Sequence, residues 1–439
     1  MKPTLTAKLL QTLAPWRDAP AWRVAFSGGL DSSVMLHLLA ALAKTVELPP
    51  LSALYVHHGL QAAADAWPAH CQVVCDALGV PLRVIRVQVQ QGASLERAAR
   101  EARYQAFAEV AGAGELLITG QHRDDQAETL LFRLLRGAGV RGLAAMPAQR
   151  PLADGYLVRP LLDVSRADLE AYAHEQQLTW IEDPSNADPR FSRNYLRHHV
   201  FPLLTQRWPQ AVNTIARNAE HLSEAQGLLD ELAQMDLQAA SQPSAFPWLG
   251  LPSLALQPLS MLSEARQRNA LRHWLTPLTR LPDSEHWAGW NNLRDAREDA
   301  QPLWRLADGQ LHRCNGRIWW LPTSWAEFSD APVSWSHPEN PLQLPGNGHL
   351  QFSGAAPEGP LSVHYRQGGE IMELPGRGRR DLKRLLNESA VPGFVRGRLP
   401  LLYRDQQLLA VPNLPSLATG ERGAWQLHWM PPTCDQGLS

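Results

Sequence analysis

Two clusters of polar residues have types and spacings that suit phosphate chemistry. The first is a glycine-containing stretch between an apolar run at 22–26 and a helical pattern at 34–44, Ser27-Gly28-Gly29-Leu30-Asp31-Ser32-Ser33. Such a loop leaves unpaired backbone N–H groups at the positive end of the helix dipole, where an anion binds. The glycines let a ligand approach the backbone closely. We therefore predict a phosphate-binding loop.

This loop differs from the common nucleotide-binding motifs. It lacks the Gly-Lys-Ser/Thr of a Walker A loop and the G-x-G-x-x-G of a dinucleotide loop. The alternative interpretation is an ordinary glycine-rich turn in which Asp31 or Ser32 caps the helix. The coincidence of strand, loop and helix favours phosphate binding.

The second cluster, His122-Arg123-Asp124-Asp125-Gln126-Ala127-Glu128, follows a predicted strand at 115–120. A helix that starts near Asp124 places Asp125 and Glu128 on one face. Carboxylates in this arrangement can hold Mg²⁺ on phosphate oxygens, or bind an amine and accept its proton. Alternatively, the adjacent aspartates only cap the helix.

Alternating strand and helix patterns over about 180 residues predict the elements that position both clusters. The pattern is typical of an α/β fold with a doubly wound parallel sheet, whose ligands bind at the carboxyl ends of the strands. His57 and His58 follow the second strand at this edge, where an adenosine would lie. The alternative is a histidine pair without a role.

A predicted helix from residue 94 carries Arg97, Arg100 and Arg103 at three-residue intervals. Three cations on one face suit a triphosphate or RNA phosphates. The spacing equally fits a solvated face on which Glu96 and Glu101 pair with the arginines. Residues 45–382 contain no lysine, which argues against a ligase that carries AMP on an enzyme lysine.

The chain of 439 residues is too long for one core and has a net charge of −2. We predict a first, phosphate-binding α/β domain at 1–210, to which the resemblance described below assigns ATP binding and catalysis. A long helix at 212–240 then begins a helical domain at 211–330, which ends in a hairpin with turns at 308–309 and 315–316. A Pro/Gly/Ser-rich segment at 327–360 separates a small basic α+β domain at 331–439.

The predicted last domain contains a basic segment. Residues 376–398 hold seven cationic and two acidic side chains, with Arg366 before them and Phe394 available for stacking on a base. Such a segment suits the phosphate backbone of RNA, although charge runs are often only solvated. Arg193 and Arg197, after an Asn/Pro-containing loop, suit the same partner.

The four cysteines have neither a disulfide framework nor zinc-ligand spacing, and we interpret Cys71 and Cys75 as core residues. The N-terminus does not resemble a signal peptide, and no apolar run reaches 18 residues. We expect a soluble, cytoplasmic protein without a membrane partner.

Several motifs occur together in one order, and only their combination is specific. They are SGGLDSS, VHHGL, HRDDQAET, RGAGVRGL, RPLL, DPSN and RNYLR, followed by RQGGE and LKRLL. Together they closely resemble the bacterial tRNA(Ile)-lysidine synthetases of the PP-loop ATP pyrophosphatase superfamily. The glycine loop alone marks only the superfamily.

The resemblance implies a two-step reaction with ATP and Mg²⁺. ATP adenylates the C2 oxygen of the wobble cytidine in the CAU anticodon of tRNA(Ile), and pyrophosphate leaves. The ε-amine of free L-lysine then attacks C2 and expels AMP, which leaves lysidine.

The resemblance also implies residue roles. The ATP-binding residues would be Ser27, Gly28, Gly29, Leu30, Asp31, Ser32, His57 and Arg100. The catalytic residues would be Asp31, which would also position Mg²⁺, with His122, Asp124, Asp125 and Glu128. The tRNA-binding residues would be Arg193, Arg197, Arg366, Arg377, Arg379, Arg380, Lys383 and Arg384.

Three other functions are weighed against this one. A tRNA thiolase of the same superfamily would need cysteines near its site, yet none occurs at 76–313. A GMP-synthetase-like amidotransferase would need a glutaminase domain as an ammonia source. An RNA-binding protein with an inactive ATP fold would have no reason to keep Asp31, Asp125 and Glu128 together.

Overall fold

The computed structural model describes residues 4–59, 62–89, 95–281, 285–297, 300–419 and 425–432. The chain forms two compact units, Met1–Leu228 and Leu229–Ser439. The boundary between them falls within one long helix, Ala211–Ala240.

The first unit alternates strands and helices around one sheet. In chain order its elements are α1 Leu5–Leu13, β1 Trp22–Ala25, α2 Leu30–Ala43, β2 Leu51–His57, α3 Trp67–Leu78, β3 Leu82–Arg86, α4 Leu95–Val110, β4 Leu116–Ile118, α5 Arg123–Leu134, α6 Val140–Leu143, β5 Gln149–Leu152, β6 Gly155–Val158, α7 Arg166–Glu175, α8 Ser192–Tyr195, α9 Phe201–Arg207 and α10 Ala211–Ala240. The strand order is β3-β2-β1-β4-β6-β5, and only the edge strand β5 is antiparallel. The predicted doubly wound parallel sheet is confirmed.

Helix α2 packs at the centre of this unit. It starts at Leu30, four residues before the predicted start, because Asp31 and Ser32 belong to its first turn. Its residues are buried on nearly every side, whereas the sequence pattern predicted one apolar stripe. The helix packs with strand residues such as Trp22 and Val24 in the same core. The glycine loop is therefore anchored at both ends by buried elements.

The second unit combines short helices with three antiparallel or mixed sheets. Its further elements are β7 Ser253–Ala255, α11 Leu256–Ser260, α12 Glu264–Leu275, α13 Ala288–Asp295, β8 Leu303–Arg305, β9 Gly309–Cys314, β10 Arg317–Pro322, β11 Val333–Trp335, β12 Leu342–Gln343, β13 His349–Gly354, β14 Leu361–His364, β15 Ile371–Leu374, β16 Gly378–Asp381, α14 Leu382–Glu388, β17 Leu401–Arg404, β18 Gln407–Ala410 and β19 Trp425–Met430. The strand orders are β7-β10-β9-β8, β11-β14-β17-β18-β15-β16 and β12-β13-β19.

The predicted hairpin at the end of the helical region is confirmed. Asn315 and Gly316 both have positive φ, 52° and 68°, between β9 and β10. Positive φ at both central residues is what a tight hairpin turn requires. The hairpin belongs to a four-stranded sheet, so this region contains more strand than predicted.

The Pro/Gly/Ser-rich segment at 327–360 is not a linker. It contributes β11, β12 and β13, and its Trp335, Leu344 and Leu350 are buried. These side chains share one hydrophobic core with Trp319 and Leu321 of β10. Apolar residues spaced among the prolines and glycines form short strands here. The three-domain division stays a prediction, since the compact units divide within α10 instead.

Within the described ranges, no helix has both the length and the apolar character needed to cross a membrane. The long helix α10 carries many polar residues along its length. The basic C-terminal region is an α+β arrangement, as predicted, with α14 beside six strands of one mixed sheet.

Candidate active site

The glycine loop between β1 and α2 is held in one shape by its own polar groups. Ser32 Oγ donates to the Gly29 carbonyl at 3.0 Å and lies 3.1 Å from Ser27 Oγ. Gly28 has φ +78°, and a Cβ there would lie 2.6 Å from Ile181 Cδ1. Only glycine fits this position without strain.

The helix cap differs from the simple-turn interpretation. Gly29, rather than Asp31 or Ser32, is the N-cap of α2, and it offers no capping side chain. Gly29 therefore has no side chain that could accept hydrogen bonds from the first backbone N–H groups of the helix. A helix end that binds phosphate needs these N–H groups for the ligand. The loop geometry supports the predicted anion site.

The acidic cluster comes close to this loop because Gly120 lies between β4 and α5. A Cβ on Gly120 would lie only 3.0 Å from the backbone oxygen of Asp31. Helix α5 begins at Arg123, and the Asp125 carboxylate accepts a hydrogen bond from the His122 amide at 3.1 Å. The absent side chain at Gly120 thus lets the two predicted clusters meet.

His122 joins the two clusters. Its fully buried imidazole lies 3.6 Å from one carboxylate oxygen each of Asp31, Asp124 and Asp125. Burial alone lowers the pKa of His122, but its interactions with Asp124 and Asp31 outweigh burial and raise the pKa to about 10. At neutral pH the ring is therefore a buried imidazolium among carboxylates.

The imidazolium in turn affects its neighbours. Burial raises the pKa of the Asp31 carboxyl, but the interaction with His122 more than offsets burial, so the pKa is lowered. The pKa of Asp124 is lowered in the same way, with a further hydrogen bond from the Arg166 amide at 2.9 Å. Both carboxylates therefore remain ionised at neutral pH.

The loop and the acidic cluster share a cavity of about 360 Å³. Asp31 and Asp125 both line it, together with Ser27, Gly29 and Ser32. Its apolar wall is formed by Phe26, Tyr55, Trp67, Phe107 and Ile181. A second cavity of about 310 Å³ is lined by Asp124, Glu128, Arg166 and Arg197, and Asn186 lines both.

Arg193 and Arg197 close the acidic cluster with ion pairs. Arg193 donates to Glu128 Oε2 and Asp125 Oδ1, both at 2.8 Å. Arg197 donates to Glu128 Oε1 at 2.6 Å and to Asp125 Oδ1 at 3.2 Å. We call these four residues the acid–base tetrad. Arginines that were predicted to bind tRNA thus contact the carboxylates that were predicted to be catalytic.

Comparisons with known proteins agree with this geometry. Three family models match the chain: a PP-loop domain at 1–204, a TilS substrate binding domain at 254–319 and a TilS substrate C-terminal domain at 361–429. The tRNA(Ile)-lysidine synthase of Pseudomonas fluorescens is 65% identical over 434 residues, covering 99% of this chain and 98% of that protein. The chain belongs to the tRNA(Ile)-lysidine synthase family.

More distant members of the tRNA(Ile)-lysidine synthase family also match nearly the whole chain. The protein of that name from Coxiella burnetii is 37% identical, covering 97% of this chain and 96% of that protein. Among solved structures, a U34-tRNA thiolase from Methanococcus maripaludis has a TM-score of 0.41 and 19% identity, covering 50% of this chain and 78% of that chain.

The two histidines that follow one another at the end of β2 have different surroundings. His57 does not line the cavity, since its Nε2 lies 3.2 Å from Asp65 Oδ1; the neighbouring His58 does line it. Burial, with smaller contributions from Arg103 and His57, lowers the pKa of His58 to about 4, so this ring is neutral. Adjacent residues on a strand point to opposite faces, which sequence alone could not assign.

The three arginines of α4 have different surroundings. Arg97 pairs with Glu101 at 2.7 Å, Arg100 stacks on Tyr104, and Arg103 lines the cavity. Arg103 therefore lines the cavity, whereas Arg100, which was predicted to bind ATP, does not. Trp67, Phe107, Ile181 and Asn186 were missed as cavity residues, because apolar side chains and a single amide carry no catalytic signal in sequence.

The basic segment at 376–398 is partly neutralised within the second unit. Glu388 pairs with Arg377 at 2.6 Å and with Arg384 at 3.1 Å, and Arg366 lies 3.5 Å from Glu370. Arg379 and Arg380 lie on the exposed edge strand β16, and Lys383 is exposed on α14. These last three keep the exposure that RNA binding requires.

Phe394, which was predicted to be available for stacking on a base, is half-buried and packs against the core of the second unit. Its ring packs 5.9 Å from Trp319 and 5.4 Å from His312, measured between ring centroids. Arg398 of the same segment is only 3% exposed and donates to Asn347 Oδ1 at 3.0 Å. Both residues therefore hold the core of the second unit together.

Proposed function

We propose that the protein converts the wobble cytidine of a tRNA(Ile) with a CAU anticodon to lysidine. In the first step the C2 oxygen of cytidine attacks the α-phosphorus of ATP, and the bond to the β-phosphate breaks with release of pyrophosphate. In the second step the lysine ε-amine forms a bond to C2, and the C2–O bond breaks as AMP leaves. The observation that best supports this proposal is the cavity that the glycine loop shares with Asp31 and Asp125.

The cavity suggests how ATP binds. Ser27, Gly29 and Ser32 present hydroxyl and amide donors suited to the departing pyrophosphate, and Leu30 contributes its backbone as the first residue of α2. We place the adenosine against the apolar wall beside neutral His58. Arg103, which lines the cavity, takes the phosphate-clamping role.

The residues present fit a Mg²⁺ ion shared with ATP. Asp31 Oδ1 is buried and has no hydrogen-bond partner, and it faces the same imidazole nitrogen as Asp125. The described residues contain no group of three or more ligating side chains, so phosphate oxygens would complete the coordination. Asp31, with Asp125 beside it, would hold the ion, which would stabilise charge on the leaving pyrophosphate.

The acid–base tetrad suits the lysine substrate. Asp125 and Glu128 already bind two guanidinium groups, and an alkylammonium group is a cation that the same oxygens can accept. The amine must lose a proton as it attacks C2, and one of these carboxylates accepts that proton. We place the reaction in the cytoplasm, where ATP, tRNA and free lysine are available.

Sulfur transfer, the rival chemistry, is not supported by the described cysteines. Cys71 lies against the glycine loop, within 3.0 Å of the Cβ position at Gly28, but burial raises its thiol pKa to about 12. Burial likewise raises the pKa of Cys75 to about 11. A protonated, fully buried thiol is a poor sulfur carrier or nucleophile.

The deciding experiment measures both the release of pyrophosphate and the mass of the product nucleoside. We expect pyrophosphate release from ATP to require tRNA(Ile) with a CAU anticodon, and the modified nucleoside to gain one lysine residue. A matched tRNA whose wobble cytidine is replaced by uridine serves as the control and should remain unmodified. A product that gains sulfur, or the absence of any product, would contradict the proposal.

A further inference from the structure

Tyr104 on α4 lies between two guanidinium groups. Arg100 Cζ is 5.2 Å and Arg150 Cζ is 4.9 Å from the centroid of its ring. Arg150 belongs to β5, the edge strand of the sheet, so the two arginines approach the ring from different elements. Cation–π contacts of this kind hold a guanidinium in place while its N–H donors stay available.

Three further arginines belong to the same cluster, namely Arg103, Arg133 and Arg159. Burial raises the pKa of Tyr104, but Arg100 and Arg159 more than offset burial and lower it. Burial, and next the positive charges of Arg100 and Arg159, lowers the pKa of Arg133. The five arginines around Tyr104, which we call the Tyr104 cluster, therefore lie close enough to repel one another.

The described residues provide no carboxylate that pairs with any of these five arginines. Arg133 donates to the carbonyls of Gly142 and Ala145, at 2.8 and 2.7 Å, and Arg159 to that of Pro147 at 2.7 Å. Arg159 is 3% exposed, and its Nε is buried without a hydrogen-bond partner. One turn earlier on α4, Arg97 has its carboxylate partner in Glu101.

Five mutually repelling charges without a counter-ion are unfavourable unless an anion offsets them. The Nε of Arg159 is buried without a hydrogen-bond partner, so the fold does not fully satisfy this guanidinium. Arginine is the side chain best suited to phosphate, because its planar donors bind two oxygens at once. The cluster therefore fits a phosphate-bearing ligand.

We propose that Arg100 and Arg150, the outer arginines of the Tyr104 cluster, bind the phosphodiester backbone of the RNA substrate beside the nucleotide that enters the cavity. This inference rests on the proposed function, and it adds a binding site for that substrate. Arg103 and Tyr104 line the cavity, whereas Arg100 and Arg150 do not, so the cluster continues outward from the cavity to the sheet edge. ATP phosphates already have the glycine loop, while an RNA strand carries further phosphates past it.

The test compares the variants Arg150→Gln and Arg100→Gln/Arg150→Gln with a control, Arg97→Gln, on the same helix. We measure the dissociation constant for tRNA as a function of salt, and separately that for ATP. The plot of log K against log salt has a negative slope, and each lost phosphate contact should reduce its magnitude by about 0.7 to 0.9. We expect the double variant to bind tRNA roughly ten-fold more weakly at moderate salt. The control should bind tRNA like the wild type, and all variants should bind ATP equally well.

Two results would overturn the inference: unchanged tRNA affinity and salt slope in the double variant, or loss of ATP affinity with normal tRNA affinity. The second would assign the cluster to the triphosphate. The charge-preserving variant Arg100→Lys/Arg150→Lys should keep most of the salt slope, which separates lost charge from misfolding. Failure of the proposed function appears differently, as wild-type protein that makes no lysidine.

Discussion

Two arginine-rich regions of this protein differ in how their charge is balanced. In the basic segment at 376–398, Glu388 pairs with Arg377 and Arg384, and Arg398 is buried among hydrogen-bond acceptors. In the Tyr104 cluster, no described carboxylate pairs with any of the five arginines. A high density of arginine in sequence therefore does not by itself mark a binding site. The partners of each guanidinium decide whether its charge stabilises the fold or remains for a ligand.

In the acid–base tetrad, the positive charges of two arginines are balanced by two carboxylates of the protein itself. Two arginines and two carboxylates are joined there by several bonds of 2.6 to 3.2 Å, and the Glu128 side chain is 3% exposed. Both oxygens of Glu128 and Oδ1 of Asp125 already contact guanidinium donors, so a ligand cation that binds these oxygens competes with the arginines. The tetrad thus combines a stable resting arrangement with the groups that the proposed reaction needs.

We expect the largest effect from Glu128→Gln, which removes one negative charge from the tetrad. The neutral amide can neither hold the lysine ammonium by charge nor accept its proton, so lysidine formation should fall by about 100-fold or more. The tRNA affinity should remain near the wild-type value. Single-turnover formation of lysidine and a separate tRNA binding assay measure the two quantities.

Asp188→Asn is a suitable control for Glu128→Gln, because Asp188 forms an ion pair with the exposed Arg190 and does not belong to the tetrad. This variant should retain nearly full activity. If Glu128→Gln formed lysidine at close to the wild-type rate, the catalytic role of the tetrad would be refuted.

We expect the next largest effect from Arg398, the buried arginine of the basic segment. Arg398→Met should lower the free energy of unfolding of the second unit by about 3 kcal/mol, because the buried Asn347 side chain and the carbonyls of Trp325 and Gly346 lose their donor. Denaturant unfolding followed by tryptophan fluorescence measures this change, since Trp325 lies 4.4 Å below the guanidinium.

Arg379→Met, on the exposed edge strand β16, is the matched control for Arg398→Met. We expect the control to change the free energy of unfolding by less than about 0.5 kcal/mol. Equal stability losses in both variants would show that burial does not distinguish the two arginines.

The smallest effect is expected from the exposed cations of the same segment. The triple variant Arg379→Gln/Arg380→Gln/Lys383→Gln should weaken tRNA binding several-fold and reduce its salt dependence, with about one unit of slope per lost contact. Arg377→Gln should have less effect, because Glu388 already neutralises Arg377. A salt slope in the triple variant equal to that of the wild type would exclude this face from tRNA binding.

Much of the fold followed from local sequence patterns. The alternation of strands and helices predicted the parallel sheet, and Asn315-Gly316 predicted a hairpin turn that only residues tolerant of positive φ can form. The segment at 327–360 was misread, because prolines and glycines obscured three short strands that pack into the core. Composition reports average polarity, whereas a buried strand of three residues needs only one or two apolar side chains.

The direction of individual side chains was harder to predict. His58 rather than His57, and Arg103 rather than Arg100, reaches the cavity. Neighbouring residues on a strand point to opposite faces, whereas Arg103 lies about one turn after Arg100 on nearly the same face of α4. Which side of the strand and which turn of the helix meet the cavity depends on the packing of elements that are distant in the chain. For a related reason the sequence did not predict that Phe394 packs against the core, since an aromatic ring in a basic segment looks the same in sequence in either setting.

By itself, the sequence determined the glycine loop, the acidic cluster and the alternating elements that bring both to one edge of a sheet. These features depend on residues that are close in the chain, so their spacing is enough to predict them. Only the tertiary structure decided which charges meet. The ion pairs of the tetrad join residues 65 to 72 positions apart, and no local pattern specifies such a contact.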